Sequence, residues 1–179
     1  MAKPPPLSFS HLGIFVHDLA KMEDFYTRVL GFPVSDRGVL NGANLVFLSR
    51  DPIDHHQIVL CEGRPADLNF NIVNQISLRA NSLADLKALY ENLEAEIVDD
   101  LVSVTHGIAL SVYFRDPEGN RIEVFVDTPW YIDQPHREQI DLKRPDEEIL
   151  AETEARIKDD PSFRPLADWR REFSETKLS

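Results

Sequence analysis

The sequence predicts an α+β protein made of two βαβββ copies followed by a helical extension, and three observations carry that reading. One is internal repetition: sliding the chain so that His11 lies on Gln75 also brings Ile14 onto Leu78, Leu19 onto Leu83, Ala20 onto Ala84, Tyr26 onto Tyr90 and Val29 onto Leu93. Another is the way short β-branched or aromatic runs alternate with single amphipathic helices. The third is composition: 179 residues, 42% hydrophobic and 28% charged, suit one folded domain with a full core and exclude a disordered chain.

Residues 1–6 contain three consecutive prolines and are expected to be a disordered tail, since proline cannot join a sheet interior. A strand is expected over Phe9 to Val16. A helix follows, with Asp18 as N-cap, Gly31 as C-cap, and Leu19, Met22, Phe25, Tyr26, Val29 and Leu30 on one face. Strands over Pro33 to Arg37, Asn44 to Ser49 and Gln57 to Cys61 are separated by Gly38, Asn41-Gly42 and Asp51-Pro52. The second copy repeats the order: a strand over Asn74 to Ala80, a helix capped by Ser82 with Leu83, Leu86, Leu89, Tyr90 and Leu93 inward, a strand near Ile97, then strands over Ala109 to Phe114 and Arg121 to Val126. Even the turn recurs, as Arg50-Asp51-Pro52 and again as Arg115-Asp116-Pro117. A half-buried sheet that one helix cannot cover needs a second layer, so the two copies should pack side by side and enclose a cleft. Past Asp127 the chain is too broken by proline for a strand. It should lie across the domain, then form a helix from Pro145 burying Ile149, Leu150, Thr153 and Ile157, and a last short helix holding Leu166, Trp169 and Phe173.

The formal net charge of −12, from 31 acidic and 19 basic side chains, offers no field that would gather phosphate backbones or anionic lipid. Nucleic acid and membrane surfaces are therefore excluded as partners. No run approaches the about 18 apolar residues of a spanning helix, and the start Met-Ala-Lys-Pro-Pro-Pro lacks the apolar core of a secretory signal, so a cytoplasmic protein is expected. The single cysteine, Cys61, forbids an internal disulfide and a cysteine-rich zinc cage. A metal would be held by His, carboxylate or amide. The apolar faces of the extension helices point to a homodimer.

His11, Gln75 and Glu123 are polar residues set in strands whose neighbours are apolar. Burying an unpaired carboxylate costs several kcal/mol, and a bound cation is one good compensation for Glu123. An ordinary solvent-exposed sheet face has the same spacing.

The stretches His11-Leu12-Gly13-Ile14-Phe15-Val16-His17-Asp18-Leu19, Phe25-Tyr26-Thr27-Arg28-Val29-Leu30-Gly31-Phe32 and Tyr113-Phe114-Arg115-Asp116-Pro117-Glu118-Gly119-Asn120-Arg121-Ile122-Glu123 together resemble the vicinal oxygen chelate superfamily. That group includes glyoxalase I, bleomycin-resistance proteins, methylmalonyl-CoA epimerase, fosfomycin-resistance enzymes and type I extradiol dioxygenases. The resemblance spans residues 7–127, with modules at about 7–63 and 72–127, and leaves the extension at 128–179 outside. It implies paired βαβββ modules forming a cupped mixed sheet around a divalent metal. Carried over by position, it implies His11, Gln75 and Glu123 as metal ligands, with Fe(II) foremost and Mn(II), Zn(II) or Ni(II) as alternatives.

The likeness to extradiol dioxygenases extends to the pair His55-His56 before the fourth strand and to Tyr113 ahead of Glu123. It implies His56 as acid/base catalyst, Tyr113 as a hydrogen-bonding partner of the substrate, and O2-dependent cleavage of a catechol-like ring in aromatic compound catabolism. Gln75 departs from that pattern, because a ring-cleaving relative has histidine there and an amide oxygen is a harder, weaker donor than imidazole. Glutamine does ligate metal in glyoxalase I and the epimerase. The resemblance therefore also admits a metal-dependent lyase or isomerase, with His56 or Gln57 as a fourth ligand, and a non-catalytic small-molecule binding protein of the bleomycin-resistance type. Strand alternation leaves open which of His56 and Gln57 faces inward. His106, in a Thr-His-Gly loop, is a candidate substrate contact. Trp130 and Tyr131 are candidates either for a pocket wall or for anchoring the tail. The acidic balance favours a neutral aromatic or other vicinal-oxygen substrate over glutathione or CoA conjugates.

Overall fold

A computed structural model describes residues 7–68 and 70–177; the expected tail at 1–6 lies outside the described residues. The chain divides into two compact units, Met1–Ile72 and Val73–Ser179.

In the first unit β1 (Leu12–Val16) leads into α1 (Leu19–Asp24), which runs on through one π turn over Phe25–Val29. Asp18 starts the helix by accepting a hydrogen bond from the Lys21 amide at 3.0 Å. Gly31, at φ +67°, lets the chain leave it. Strands β2 (Val34–Leu40), β3 (Ala43–Leu48) and β4 (Ile58–Glu62) complete a sheet ordered β1-β4-β3-β2, with β1 parallel to β4 and the other pairs antiparallel. Period-2 alternation turns Ile14, Val16, Val46, Leu48 and Leu60 inward, where they form a core with Met22, Phe25 and Tyr26.

The second unit repeats this plan with β5 (Ile76–Arg79), α2 (Leu83–Glu96), β6 (Val102–Thr105), β7 (Ala109–Arg115) and β8 (Arg121–Asp127). Its four strands are ordered β6-β7-β8-β5, and β5 is again parallel to β8. Leu86 and Leu93 of α2 are fully buried, as are Val112, Phe114 and Ile122 of the sheet. Each such apolar side chain contributes about 1.5–3 kcal/mol by leaving water. The strand expected near Ile97 is a correction. Ile97 is the left-handed C-cap of α2 at φ +54°, 87% exposed, and the strand begins only at Val102. An isolated β-branched residue after a helix carries no alternation to distinguish a strand from a cap.

The extension is more regular than its prolines suggest. Short β9 (Trp130–Tyr131) precedes β10 (Glu138–Gln139), which adds antiparallel to the free edge of β6. Next come α3 (Asp146–Ile157), β11 (Arg164–Pro165), paired with β9, and α4 (Leu166–Lys177). Ile149, Thr153 and Ile157 of α3 are buried as expected, and Lys87 of α2 reaches Asp146 at 2.7 Å. Asp127 fastens α4 to the sheet by pairing with both Arg79 and Arg170. Among the described residues no helix is long and apolar enough to cross a membrane.

Candidate functional site

The second sheet assembles a polar row. Its register aligns Ser77 of β5 with Glu123 of β8, and Glu123 with Tyr113 of β7. All three side chains therefore share one face, and the buried partners Val112, Ile122 and Val124 share the other. The spacing of Tyr113 and Glu123 is a hairpin register, fixed by the turn at Asp116-Pro117-Glu118-Gly119-Asn120. The Asp116 carboxylate, 3% exposed, accepts hydrogen bonds from the Glu118 and Asn120 amides and from Asn120 Nδ2.

Glu123 is 7% exposed, which decides against an ordinary outward-facing carboxylate. Tyr113 donates to its Oε1 at 2.5 Å, and Ser77 Oγ and Gln75 Nε2 donate to its Oε2 at 2.5 and 2.9 Å. Gln75 also donates to Ser77 Oγ at 3.0 Å. With its amide nitrogen so committed, Gln75 keeps an Oε1 that no donor reaches among the described residues. Burial, then the hydrogen bond to Glu123, pushes the Tyr113 phenol well above its ordinary pKa. Tyr113 is thus a proton donor in hydrogen bonds at neutral pH.

His106, in the tight β6–β7 turn, completes the group. Its Nδ1 donates to the His136 carbonyl at 2.7 Å and its Nε2 lies 2.9 Å from the Tyr113 hydroxyl and 3.7 Å from Glu123 Oε1. Tyr113 thus sits between His106 Nε2 and Glu123 Oε1 in one hydrogen-bonded row. The turn is closely packed: a Cβ on Gly107, at φ +74°, would sit 2.7 Å from Ile132 Cδ1.

In the first unit His11 immediately precedes β1, exposed, and its ring lies 4.3 Å from that of His56. His55 Nδ1 and His56 Nδ1 are 3.0 Å apart, and Phe47 packs edge-on against both rings. Desolvation, then the charges of His11 and His55, lowers the His56 pKa and favours the neutral ring. Gln57 is spoken for, since its Oε1 accepts from the Arg50 amide at 2.9 Å. Of the two residues that strand alternation could not rank, His56 is the one beside His11.

Among the described residues no three His, Cys, Asp or Glu side chains gather as a preformed metal cage. The donor types still suit a divalent cation. Within the second unit the buried Glu123 carboxylate and the Gln75 amide oxygen are oxygen ligands with one net negative charge, of the kind that divalent cations such as Mn(II) and Fe(II) accept. Tyr131 anchors the tail: it stacks on Trp169 with centroids 4.9 Å apart, and Trp169 stacks on Phe173 at 5.2 Å, while Trp130 joins β9 to β11 through the backbone, in register with Pro165. Sequence reasoning raised His106 only as a substrate contact and missed Ser77 altogether. Ser77 was legible as the residue two places beyond Gln75 on the same strand face.

Comparison with known proteins adds to this geometry. The model of the Glyoxalase/Bleomycin resistance protein/Dioxygenase superfamily matches residues 8–124. Biphenyl-2,3-diol 1,2-dioxygenase 2 of Rhodococcus globerulus is 29% identical over 124 residues, covering 66% of this chain and 62% of its own length. The chain thus spans under two thirds of that relative. Among solved structures, a glyoxylase/bleomycin resistance protein/dioxygenase domain from Frankia sp. EAN1pec superposes with a TM-score of 0.60 at 22% identity, covering 69% of this chain and 94% of that one. The fosfomycin resistance protein FosX of Listeria monocytogenes, complexed with Mn(II), gives 0.55 at 19% identity, covering 68% of this chain and 93% of that one. At those identities the structural likeness speaks to the fold.

Proposed function

The chain belongs to the glyoxalase/bleomycin resistance protein/dioxygenase superfamily, and we propose that within it the chain is a divalent-metal enzyme acting on a small aromatic substrate with two adjacent oxygens, by extradiol-type cleavage of a catechol-like ring. The observation that carries this reading is the buried Glu123 carboxylate on one strand face with Tyr113, whose hydroxyl donates to it at 2.5 Å. The 29% identity to a biphenyl-2,3-diol dioxygenase supports it.

The metal ligands we assign are His11, Gln75 and Glu123, with Fe(II) foremost. Bound there, the metal would acidify the two substrate oxygens and hold them side by side. Tyr113, kept protonated, offers its hydroxyl to a substrate oxyanion rather than acting as a base. His106 Nε2, 2.9 Å away, orients that hydroxyl. His56, held neutral beside His11, takes a proton from a substrate hydroxyl at its free imidazole nitrogen. The amide of Gln75 favours a second reading, a lyase or isomerase that moves a proton beside a carbonyl, because that chemistry asks less of the metal's redox potential.

Metal content of anaerobically purified protein, followed by catechol cleavage with iron(II) restored, tests both. One metal per chain with a yellow ring-cleavage product supports the dioxygenase. One metal without O2 consumption moves the assignment to the lyase or isomerase class, and no metal under any loading condition refutes both.

A further inference from the structure

We propose that the cleft beside Tyr113 is a carboxylate-binding subsite, and that Arg121 and Arg137 seat there the anionic substituent of a small aromatic substrate. The cleft lies wholly within the second unit and has a volume of 540 Å³. That is ample for a single substituted ring, small-molecule sites being about 300–1,000 Å³. Val102, Arg115, Arg121, Arg137 and Gln139 line it around Tyr113.

The charges of the cleft are unevenly matched. Asp100 also lines the cleft, and Arg115 Nε donates to it at 2.8 Å, so that pair cancels. Arg121 and Arg137 have no carboxylate or carbonyl partner among the described residues. Each instead lies over the Tyr113 ring, at 4.5 and 5.6 Å from its centroid. Elsewhere the chain is generous with acids: Arg28, Arg37, Arg79, Arg144, Arg156 and Arg164 all have carboxylate partners. In a protein of net charge −12, two unmatched guanidiniums on one aromatic ring at the wall of a cavity leave a local excess of two positive charges. A carboxylate satisfies such planar forks with paired hydrogen bonds, which Lys could not offer as well.

Placement ties the subsite to the chemistry. Arg121 is two residues before Glu123 on β8, so both lie on the same sheet face, and Tyr113 borders the cleft while donating to Glu123. Arg137 and Gln139 come from beyond residue 124, where the family match ends, and β10 brings them in by pairing with β6. The extension thereby supplies a selectivity wall that the family fold does not itself provide. The inference deepens the dioxygenase reading and rests on it for the reaction, though not for anion binding.

Calorimetric titration of the full chain with benzoate, phenyl phosphate and benzyl alcohol tests it. Benzoate is expected to bind more tightly than the alcohol, and its affinity to fall roughly tenfold in R121Q and again in R137Q, the loss expected of a charge-assisted hydrogen bond. R121K, which keeps the charge, should fall less, and R171Q on α4 should match wild type. Benzoate no tighter than benzyl alcohol, or unmoved by both variants, overturns the subsite; phenyl phosphate preferred over benzoate overturns the carboxylate. With iron(II), kcat/KM for 3,4-dihydroxybenzoate should exceed that for catechol, and R137Q should erase the preference through KM. Ring cleavage without that preference refutes the subsite alone, whereas benzoate binding without ring cleavage refutes the proposed reaction alone.

Discussion

Replacing Tyr113 with Phe removes one oxygen atom from the centre of the polar row and little else. That oxygen donates to Glu123 Oε1 at 2.5 Å and lies 2.9 Å from His106 Nε2. Glu123, 7% exposed, cannot recover the lost donor from bulk water. A hydrogen bond to a charged group is worth about 1.5–3 kcal/mol. His106 Nε2 starts 3.7 Å from Oε1 and can move in to repair part of the loss, so the lower half of that range, about 2 kcal/mol, is expected. In a chain of this size each kcal/mol lowers Tm by about 2–4 °C, so Tyr113→Phe should melt about 4–8 °C lower by circular dichroism. The sharper assay is a double-mutant cycle with Glu123→Gln. The charged acceptor makes this bond stronger than its neutral counterpart, so the two substitutions should couple by about 1 kcal/mol. Additivity to within about 0.3 kcal/mol would show that the phenol and the carboxylate do not bond, and the row would lose its centre.

Gln75→His should raise iron(II) affinity at least tenfold by exchanging an amide oxygen for imidazole, whereas His11→Ala and Glu123→Ala should each abolish stoichiometric metal; metal retained in both alanine variants would defeat the ligand assignment. Asp127→Asn should loosen α4 by no more than about 1 kcal/mol, because its arginine partners are half exposed and screened by solvent. Burial alone would raise the Asp127 pKa, but hydrogen bonds from Arg79 and Arg170 hold it below its ordinary 3.8. Its contribution is therefore present above pH 3.8 and is lost as pH falls through the lowered value, so wild type and variant should converge in acid melts.

Much of the architecture was legible because each copy announces itself locally. Asp18 and Ser82 cap their helices as their side chains dictate, and the apolar alternation of Ala109–Arg115 and Arg121–Asp127 marks two strands joined by a turn that Asp116 organises. Glu123 and Gln75 stood out as polar residues among apolar strand neighbours. What they touch did not, since hydrogen-bond partners follow from register across strands and register is not written in either strand alone. Ser77 reaches Glu123 only because β5 lies parallel to β8 in a register that aligns the two residues. For Tyr131 the sequence left two roles open, pocket wall or tail anchor. A flat ring is equally good as a pocket wall or as a packing surface, and Trp169, far along the chain, settles which.

The charge reading shows where bulk composition stops being informative. A net charge of −12 sets the field met by a macromolecule that approaches the surface to within the Debye length, about 8 Å at physiological ionic strength. It says nothing of a small substrate inside a cleft, where the nearest two or three groups decide. There the acids are spent on other arginines while Arg121 and Arg137 stay unmatched, so the expectation of a neutral substrate gives way to a proposed carboxylate. The segment that brings Arg137 also brings the His136 carbonyl that fixes the orientation of His106. One short stretch of the extension thus bears on both the choice of substrate and the proton held at Tyr113, which is a reason for the extension to pair with the edge of β6 rather than trail from the domain.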